Sequence, residues 1–464
     1  MTYGRQPRVN EEINWVTDED GNVIGPLTSG DGKSAPNTMV LLGDSITNNS
    51  NVNNGGVGTS NVTTQYQTSD IGWWTWTNIQ LGGAFKVIRN SGRAGDTTGD
   101  MLGRLATDVL AYSPAWVLVA GGINDRQLGG QADLGYDYTV GNLQTIVERC
   151  NAAGAKVILA TILPNNFLNS LGAGNIKIEM LLRVNDWIRR YCEGKPNVIC
   201  LDVFSSIYDQ ATLCDGVAGS FNTPTDKTHP LVAAAWRIGT DAARALAGVV
   251  KPRPVIASLG GIATITNPYG NLVRYSTMSG TTGTLPATYT PTGTVPDGWW
   301  LQNDGAAVAN AGHTVVMTRP ARTDYPNLTW WRSAVSWTTA QAAVTTFTHR
   351  LQSAAALAIP AGVNAGDIID CALELQYSGV TNAGPLTVEF VARQGTTDLL
   401  ASSFTYGQSS TTPTPPFAGV VTTNGMPLPV GADNIMVRIQ CRNLAATAGG
   451  YTLDIGRGFV GKRM

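Results

Sequence analysis

Charge is scarce in this chain. Asp, Glu, Lys and Arg make up 14% of its 464 residues, and the formal net charge is −2. An average soluble protein carries about 25% charged residues. No stretch concentrates Lys or Arg, which argues against nucleic acid and anionic membranes as electrostatic partners. Histidine is scarcer still, with three in the chain: His229, His313 and His349. Any chemistry that needs an imidazole base therefore has three candidates. The six cysteines (Cys150, Cys192, Cys200, Cys214, Cys371 and Cys441) form no CxxC pair and show no metal-ligand spacing. They are too sparse for a disulfide scaffold. Most are expected as buried free thiols, with Cys192 and Cys200 the only close pair and so the only candidate bridge. No apolar run approaches the roughly 18 residues of a transmembrane helix. The first residues, Met1 to Arg5, lead into polar sequence without the apolar segment of an ordinary signal peptide. The expectation is a soluble protein with no metal and no cofactor.

Hydrophobic residues are plentiful at 43%, and the length calls for two or three domains. Residues 1–36 are polar, with scattered glycine and proline, and read as an arm or attachment segment. From 37 to 250, apolar runs at 38–43, 85–89, 115–120, 156–163 and 198–203 alternate with helical patterns at 71–82, 98–111, 139–153, 176–194 and 231–248. Leu143, Ile146 and Val147 carry an amphipathic stripe, as do Leu181, Val184 and Ile188. Alternation of this kind implies βαβ units and a parallel sheet covered on both faces, a three-layer α/β/α arrangement of flavodoxin-like order. Lys251-Pro252-Arg253-Pro254 reads as a linker. Residues 251–464 carry short β-rich runs (314–318, 335–337, 368–375, 386–392, 435–440, 451–455) between turn residues, the pattern of a jelly-roll-like β-sandwich.

Two phosphate-binding look-alikes fail on context. Gly32-Lys33-Ser34 lacks a glycine at position 27, which is Leu27, and no strand precedes it. Gly456 to Gly461 matches GxGxxG, but no helix follows.

Four short stretches stand at or near strand ends. Met39 to Leu42 runs into Gly43-Asp44-Ser45, where a serine sits where open α/β sheets place ligands. The alternative is plain turn and cap chemistry. Asn90 to Thr97 contains Gly92 and Gly95, either of which could present a backbone N–H unobstructed. Gly121-Gly122-Ile123-Asn124-Asp125 follows the third strand. Asp226-Lys227-Thr228-His229-Pro230 precedes the last helix of the α/β region, and His229 is the one histidine that region contains. A serine hydrolase needs a nucleophile, a base and a group that orients the base. No Gly-x-Ser-x-Gly elbow occurs, which argues against an ordinary α/β-hydrolase.

In this order, Gly-Asp-Ser, then Gly, then Gly-x-Asn-Asp, then Asp-x-x-His-Pro, residues 37–250 resemble the SGNH (GDSL-like) hydrolases. The resemblance implies Ser45 as nucleophile, His229 as base and Asp226 as the acid that orients it. It implies an oxyanion hole made by the backbone N–H groups of Ser45 and Gly95 and the side chain of Asn124. Ile46 departs from the leucine of the family signature, a mild change. Asp44 is expected to brace the turn rather than act as the triad acid.

The expected activity is that of a serine esterase removing O-acetyl groups from a polysaccharide, for which an acetylated bacterial surface glycan is the expected partner. Trp73, Trp74 and Trp76 are candidate substrate-binding residues beside the nucleophile, although a core role competes. The polar loop at 48–70 is expected at the rim of the cleft. The last 200 or so residues look similar to carbohydrate-binding modules. The polar arm is similar to bacteriophage tail-spike and tail-fibre proteins, which implies a homotrimer on a virion tail or outside the cell, with the cytoplasm as the alternative location. Competing readings are a non-catalytic glycan-binding tail protein and a lipase or thioesterase of the same fold.

Overall fold

The computed structural model describes residues 3–5, 14–17, 23–26, 37–52, 65–128, 130–221, 226–250, 263–264, 271–272, 278–285, 291–304, 313–323, 328–338, 346–351, 358–407, 416–443 and 448–462. The chain divides into two units. One comprises residues 1–51, 71–77 and 84–251, the other residues 52–70, 78–83 and 252–464.

The first unit is built on five strands: β1 (Thr38–Gly43), β2 (Lys86–Gly92), β3 (Trp116–Ala120), β4 (Lys156–Ala160) and β5 (Val198–Leu201). All pairs are parallel, in the order β5-β4-β3-β1-β2. That is the flavodoxin-like order expected from the sequence. The order reverses between β1 and β3, the place where doubly wound sheets bind ligands at their carboxyl ends. Every residue of β1 is buried, which for a strand means that both faces of the sheet are covered. The helices are α1 (Ser45–Asn48), α2 (Trp73–Gln80), α3 (Thr98–Gly103), α4 (Leu105–Asp108), α5 (Tyr136–Ala152), α6 (Asn166–Asn169), α7 (Ile176–Cys192), α8 (Val203–Ile207) and α9 (Val232–Leu246). The amphipathic stripes face inward as their spacing required, with Leu143, Ile146, Val147, Leu181, Val184 and Ile188 at 1% exposure or less. A separate antiparallel group pairs Tyr3–Arg5 with Asn14–Thr17 and Asn14–Thr17 with Val23–Pro26.

Two details depart from the sequence reading. The helix expected over 98–111 is broken. α3 ends at Gly103, and Arg104 stands between α3 and α4 with its side chain turned inward. Glycine is a weak helix former, and the inward pull on Arg104 has acceptors of its own, taken up below. The loop expected over 48–70 is only partly a loop. Gln65–Ser69 is a strand that pairs in parallel with Thr397–Tyr406 of the second unit's own sheet, while 53–64 lie outside the described residues.

The second unit holds β6 (Trp299–Asp304), β7 (His313–Thr318), β8 (Trp331–Trp337), β9 (Thr346–Leu351), β10 (Ile368–Thr381), β11 (Ala383–Gln394), β12 (Thr397–Tyr406), β13 (Phe417–Pro427), β14 (Asn434–Asn443) and β15 (Gly449–Lys462). One sheet runs β6-β9-β14-β11-β12 and continues into Gln65–Ser69. The other runs β7-β8-β15-β10-β13. Except at Gln65–Ser69, the pairs are antiparallel. Tyr377 of β10 packs edge-on against Tyr406 of β12 with centroids 6.3 Å apart, and Phe417 of β13 meets Tyr406 at 5.4 Å. Such aromatic contacts join the two sheets in sandwich fashion. β7 alternates buried and exposed residues along its length, as expected of a sheet with one wet face. Gly456 to Gly461 lies inside β15, so its GxGxxG pattern is a strand and not a phosphate loop.

Candidate active site

β1 ends at Gly43, where no side chain fits. A Cβ on Gly43 would lie 2.1 Å from Thr47 Oγ1 and 2.2 Å from the carbonyl of Ala120. α1 can then fold back tightly over the end of the sheet, and Thr47 Oγ1 donates to the Ala120 carbonyl at 3.2 Å. Asp44 caps α1, its Oδ1 accepting from the Ile46 N–H at 2.9 Å. Ser45 is thereby fixed as the first residue of α1, half-buried at the carboxyl edge. Asp44 is 2% exposed. Burial pushes its carboxyl up to about 6, against the opposing pull of the Ile46 N–H, His229 and the Thr47 N–H.

The other half of the site comes from the segment before α9. His229 Nε2 lies 2.7 Å from Ser45 Oγ, and His229 Nδ1 lies 2.7 Å from Asp226 Oδ2. Asp226 and His229 are three positions apart, and Ser45 is 184 positions before His229, across the α/β crossovers. Asp226 Oδ1 accepts from the backbone N–H groups of Thr228 at 3.0 Å and His229 at 2.9 Å. Partial burial alone would raise the Asp226 carboxyl. Those two N–H donors and the imidazole outweigh it and hold the group below the usual carboxylate range. The carboxylate therefore stays ionised at neutral pH and accepts from Nδ1, which leaves Nε2 basic toward the serine.

The turn after β2 separates the two candidate glycines. Gly92 donates its N–H to Asn90 Oδ1 at 2.9 Å, and a Cβ there would strike Asn48 N at 2.2 Å. Gly92 is a packing glycine. Gly95 has φ +83° with open space around it, a conformation that favours glycine. Asn124 follows β3 in a short 3-10 turn, and its Nδ2 donates to the Asp96 carbonyl at 2.9 Å. The Gly95 turn and the Asn124 side chain are thus tied together at one sheet edge.

Two buried polar residues support these groups. Asn165, 1% exposed, donates to Thr228 Oγ1 at 3.1 Å and so braces the loop carrying Asp226 and His229. Asp125, fully buried, accepts from Thr98 N at 2.8 Å, Thr98 Oγ1 at 2.6 Å and Thr139 Oγ1 at 2.8 Å. It is the last residue of the Gly-x-Asn-Asp block.

The tryptophans do not form a platform. Trp73, Trp74 and Trp76 are 2%, 1% and 0% exposed. Trp73 meets Trp74 edge-on at 5.7 Å, and Trp74 meets Phe85 at 5.3 Å. α9 presses against the backbone of α2 at Gly239, where a Cβ would lie 2.4 Å from Trp76 Cβ. Faces packed in this way have no room for a sugar, so the three rings are core. Cys192 and Cys200 are free thiols. Among the described residues no group of three or more His, Cys, Asp or Glu side chains is placed to hold a metal ion, and no helix is long and apolar enough to cross a membrane.

Residues 41–235 match the model of the GDSL-like Lipase/Acylhydrolase family. This part of the chain is a GDSL-like hydrolase domain. No curated protein matches the chain. Among solved structures, the GDSL-like domain's chain is similar to the lipase/acylhydrolase from Enterococcus faecalis, with 22% identity, 47% of this chain and 98% of that one covered, and a TM-score of 0.34. It is also similar to a GDSL-like lipase from Bacteroides thetaiotaomicron, with 20% identity, 45% and 85% coverage, and a TM-score of 0.31. A third is a mutant of Axe2, an acetyl-xylooligosaccharide esterase from Geobacillus, with 18% identity, 45% and 94% coverage, and a TM-score of 0.34.

Proposed function

We propose that this GDSL-like domain is a serine esterase that removes O-acetyl groups from a polysaccharide through an acyl-enzyme. The observation that carries the mechanism is the continuous hydrogen-bonded line from Ser45 Oγ through the His229 imidazole to the Asp226 carboxylate, with 2.7 Å at each link. His229 Nε2 takes the Ser45 proton as Oγ attacks the ester carbonyl. The oxyanion is met by the N–H groups of Ser45 and Gly95 and by the Asn124 amide. That amide has two hydrogens, so one can face the substrate while the other stays on the Asp96 carbonyl. The imidazolium, stabilised by Asp226, then returns its proton to the leaving sugar oxygen. Water repeats the cycle on the acyl-enzyme and frees acetate.

The choice of an acetylated glycan rests on the low charge of the chain and on its β-sandwich second unit, the architecture of many sugar-binding modules. The setting that goes with this reading is a bacterial surface glycan, met outside the cell by a homotrimer on a virion tail. Acetate release from a panel of acetylated bacterial polysaccharides tests the substrate. Release from at least one, lost in Ser45→Ala, is expected. Glycan binding with no release from any would favour a binding module instead.

One observation favours a second reading, a lipase or thioesterase. Leu134, Tyr138, Leu171 and Ile176, each 39% exposed or more, lie on the segments that follow β3 and β4 toward that same sheet edge. An apolar rim would suit a longer acyl chain. A chain-length series of p-nitrophenyl esters decides: preference for acetyl supports the deacetylase, and preference for octanoyl supports the lipase.

A further inference from the structure

Arg104 has no part in the triad, yet its guanidinium touches the structural base of every proposed oxyanion donor. It interrupts what the sequence reads as one helix, and its side chain is 8% exposed. Nε donates to Asp96 Oδ2 at 2.5 Å. One terminal nitrogen donates to the Ser91 carbonyl at 2.7 Å and to Asp108 Oδ2 at 3.1 Å. The other donates to the Gly43 carbonyl at 2.9 Å. Gly43 is the last residue of β1, two positions before Ser45. Ser91 is at the end of β2. Asp96 closes the turn that carries Gly95, and its own carbonyl receives the Asn124 amide at 2.9 Å. The Gly43 carbonyl also receives the Arg93 N–H at 3.0 Å, so the same atom ties the Gly95 turn to β1.

We infer that Arg104 is a positioning residue that sets the oxyanion hole, by locking the ends of β1 and β2 and the Gly95 turn into one rigid frame. The inference rests on the donor set proposed above. Its physical basis is the shape of the side chain. A guanidinium is a planar fork with several donors in fixed directions, so four acceptors on three chain segments can be held at fixed mutual angles by one group. A lysine ammonium keeps the charge but is a single point with a flexible stem, and it cannot span the same acceptors. Burial of both partners of the Arg104–Asp96 pair, at 8% and 9% side-chain exposure, keeps water from substituting for the missing donors. Arg104 itself lies behind the turn and does not contact the reacting atoms in this scheme. Loss of it should shift donors by fractions of an ångström without altering the Ser45–His229–Asp226 line.

The test is steady-state hydrolysis of p-nitrophenyl acetate by the full chain, with Arg104→Lys and Arg104→Ala. Rates are expressed per active site, counted by labelling to completion with a fluorophosphonate, so that a misfolded fraction is removed from the comparison. The expected result is a kcat per labelled site about 10- to 100-fold lower, by analogy with the cost of misplacing or losing an oxyanion donor, with KM changed by less than about threefold. Guanidinium ion should partly restore Arg104→Ala, and an equal concentration of sodium chloride should not. A kcat per labelled site within about twofold of wild type in Arg104→Lys overturns the inference. If neither variant folds, Asp96→Asn carries the test, because it keeps the carbonyl that receives Asn124 but weakens the charge-assisted bond to Arg104. A kcat reduced by several fold is then expected, and an unchanged kcat overturns the inference. Failure of the esterase reading looks different: wild type itself would neither hydrolyse the ester nor label at Ser45.

Discussion

Replacing Asp44 with asparagine should make the GDSL-like domain more stable at neutral pH and should do nothing of the kind in acid. Asp44 is 2% exposed, and burial raises its carboxyl from an ordinary 3.8 to about 6. Each unit of pKa is worth about 1.4 kcal/mol, so the ionised carboxylate costs the fold about 3 kcal/mol. The sign follows from proton uptake. Between 3.8 and about 6 the folded state holds a proton on Asp44 that the unfolded chain has lost, so the fold gains stability as the pH falls through that window. The cost is complete above about 6 and gone below 3.8. Asparagine keeps an oxygen that can accept from the Ile46 N–H and carries no charge to bury. The advantage of Asp44→Asn over wild type should therefore grow by about 3 kcal/mol between roughly pH 3.5 and pH 8. Paired urea titrations across that range, read by circular dichroism, measure it. A difference between the two proteins that stays constant within about 0.5 kcal/mol across the range would refute the claim that this carboxylate is buried at a cost.

Asn124→Ala should lower kcat for an acetyl ester by about 10²–10³ with little change in melting temperature, since the residue is half-buried and in the proposed mechanism supplies a donor to the developing oxyanion; equal kcat values would remove Asn124 from the hole. Gly95→Ala, at φ +83° with open space around it, should cost about 1–2 kcal/mol of backbone strain and lower kcat as the N–H moves, whereas Gly92→Ala should fail at the level of folding because of its contact with Asn48; the reverse ranking in a thermal melt would mean the two glycines have been assigned the wrong way round. Trp74→Ala should destabilise the domain by about 3–5 kcal/mol, the usual cost of emptying a buried aromatic site; a protein that melts like wild type but loses glycan binding would restore the platform.

The α/β unit was legible because its strands are continuous apolar runs and its helices carry stripes with a 3.6-residue period. The order of its strands followed from four βαβ steps. The meeting of Ser45, His229 and Asp226 was legible because the histidine supply is so small and because the motifs stand at or near strand ends. What could not be read was anything decided by distant contacts. Gly92 and Gly95 are equivalent in sequence, and only the approach of Asn48 to one of them separates them. Trp73, Trp74 and Trp76 have a composition that suits sugar stacking or core, and the choice was made by the packing of Phe85 and Gly239 from elsewhere in the chain. Arg104 reads as an ordinary helical arginine until its four acceptors are seen. Gln65–Ser69 is polar and reads as a loop; it is a strand because β12 offers an edge to pair with. β12 has no strand signature in the sequence because Ser402 and Ser403, at 0% and 1% exposure, put hydroxyls at buried positions.

The central claim, that Ser45 is a nucleophile driven by His229 and Asp226, is tested most directly by covalent capture. The intact protein is incubated with a fluorophosphonate, and the modified peptide is located by mass spectrometry in wild type, Ser45→Ala and His229→Ala. A single adduct on Ser45 is expected in wild type, none in Ser45→Ala, and labelling slowed by orders of magnitude in His229→Ala. An adduct on a different residue, or Ser45 labelling that proceeds as fast without His229, would contradict it.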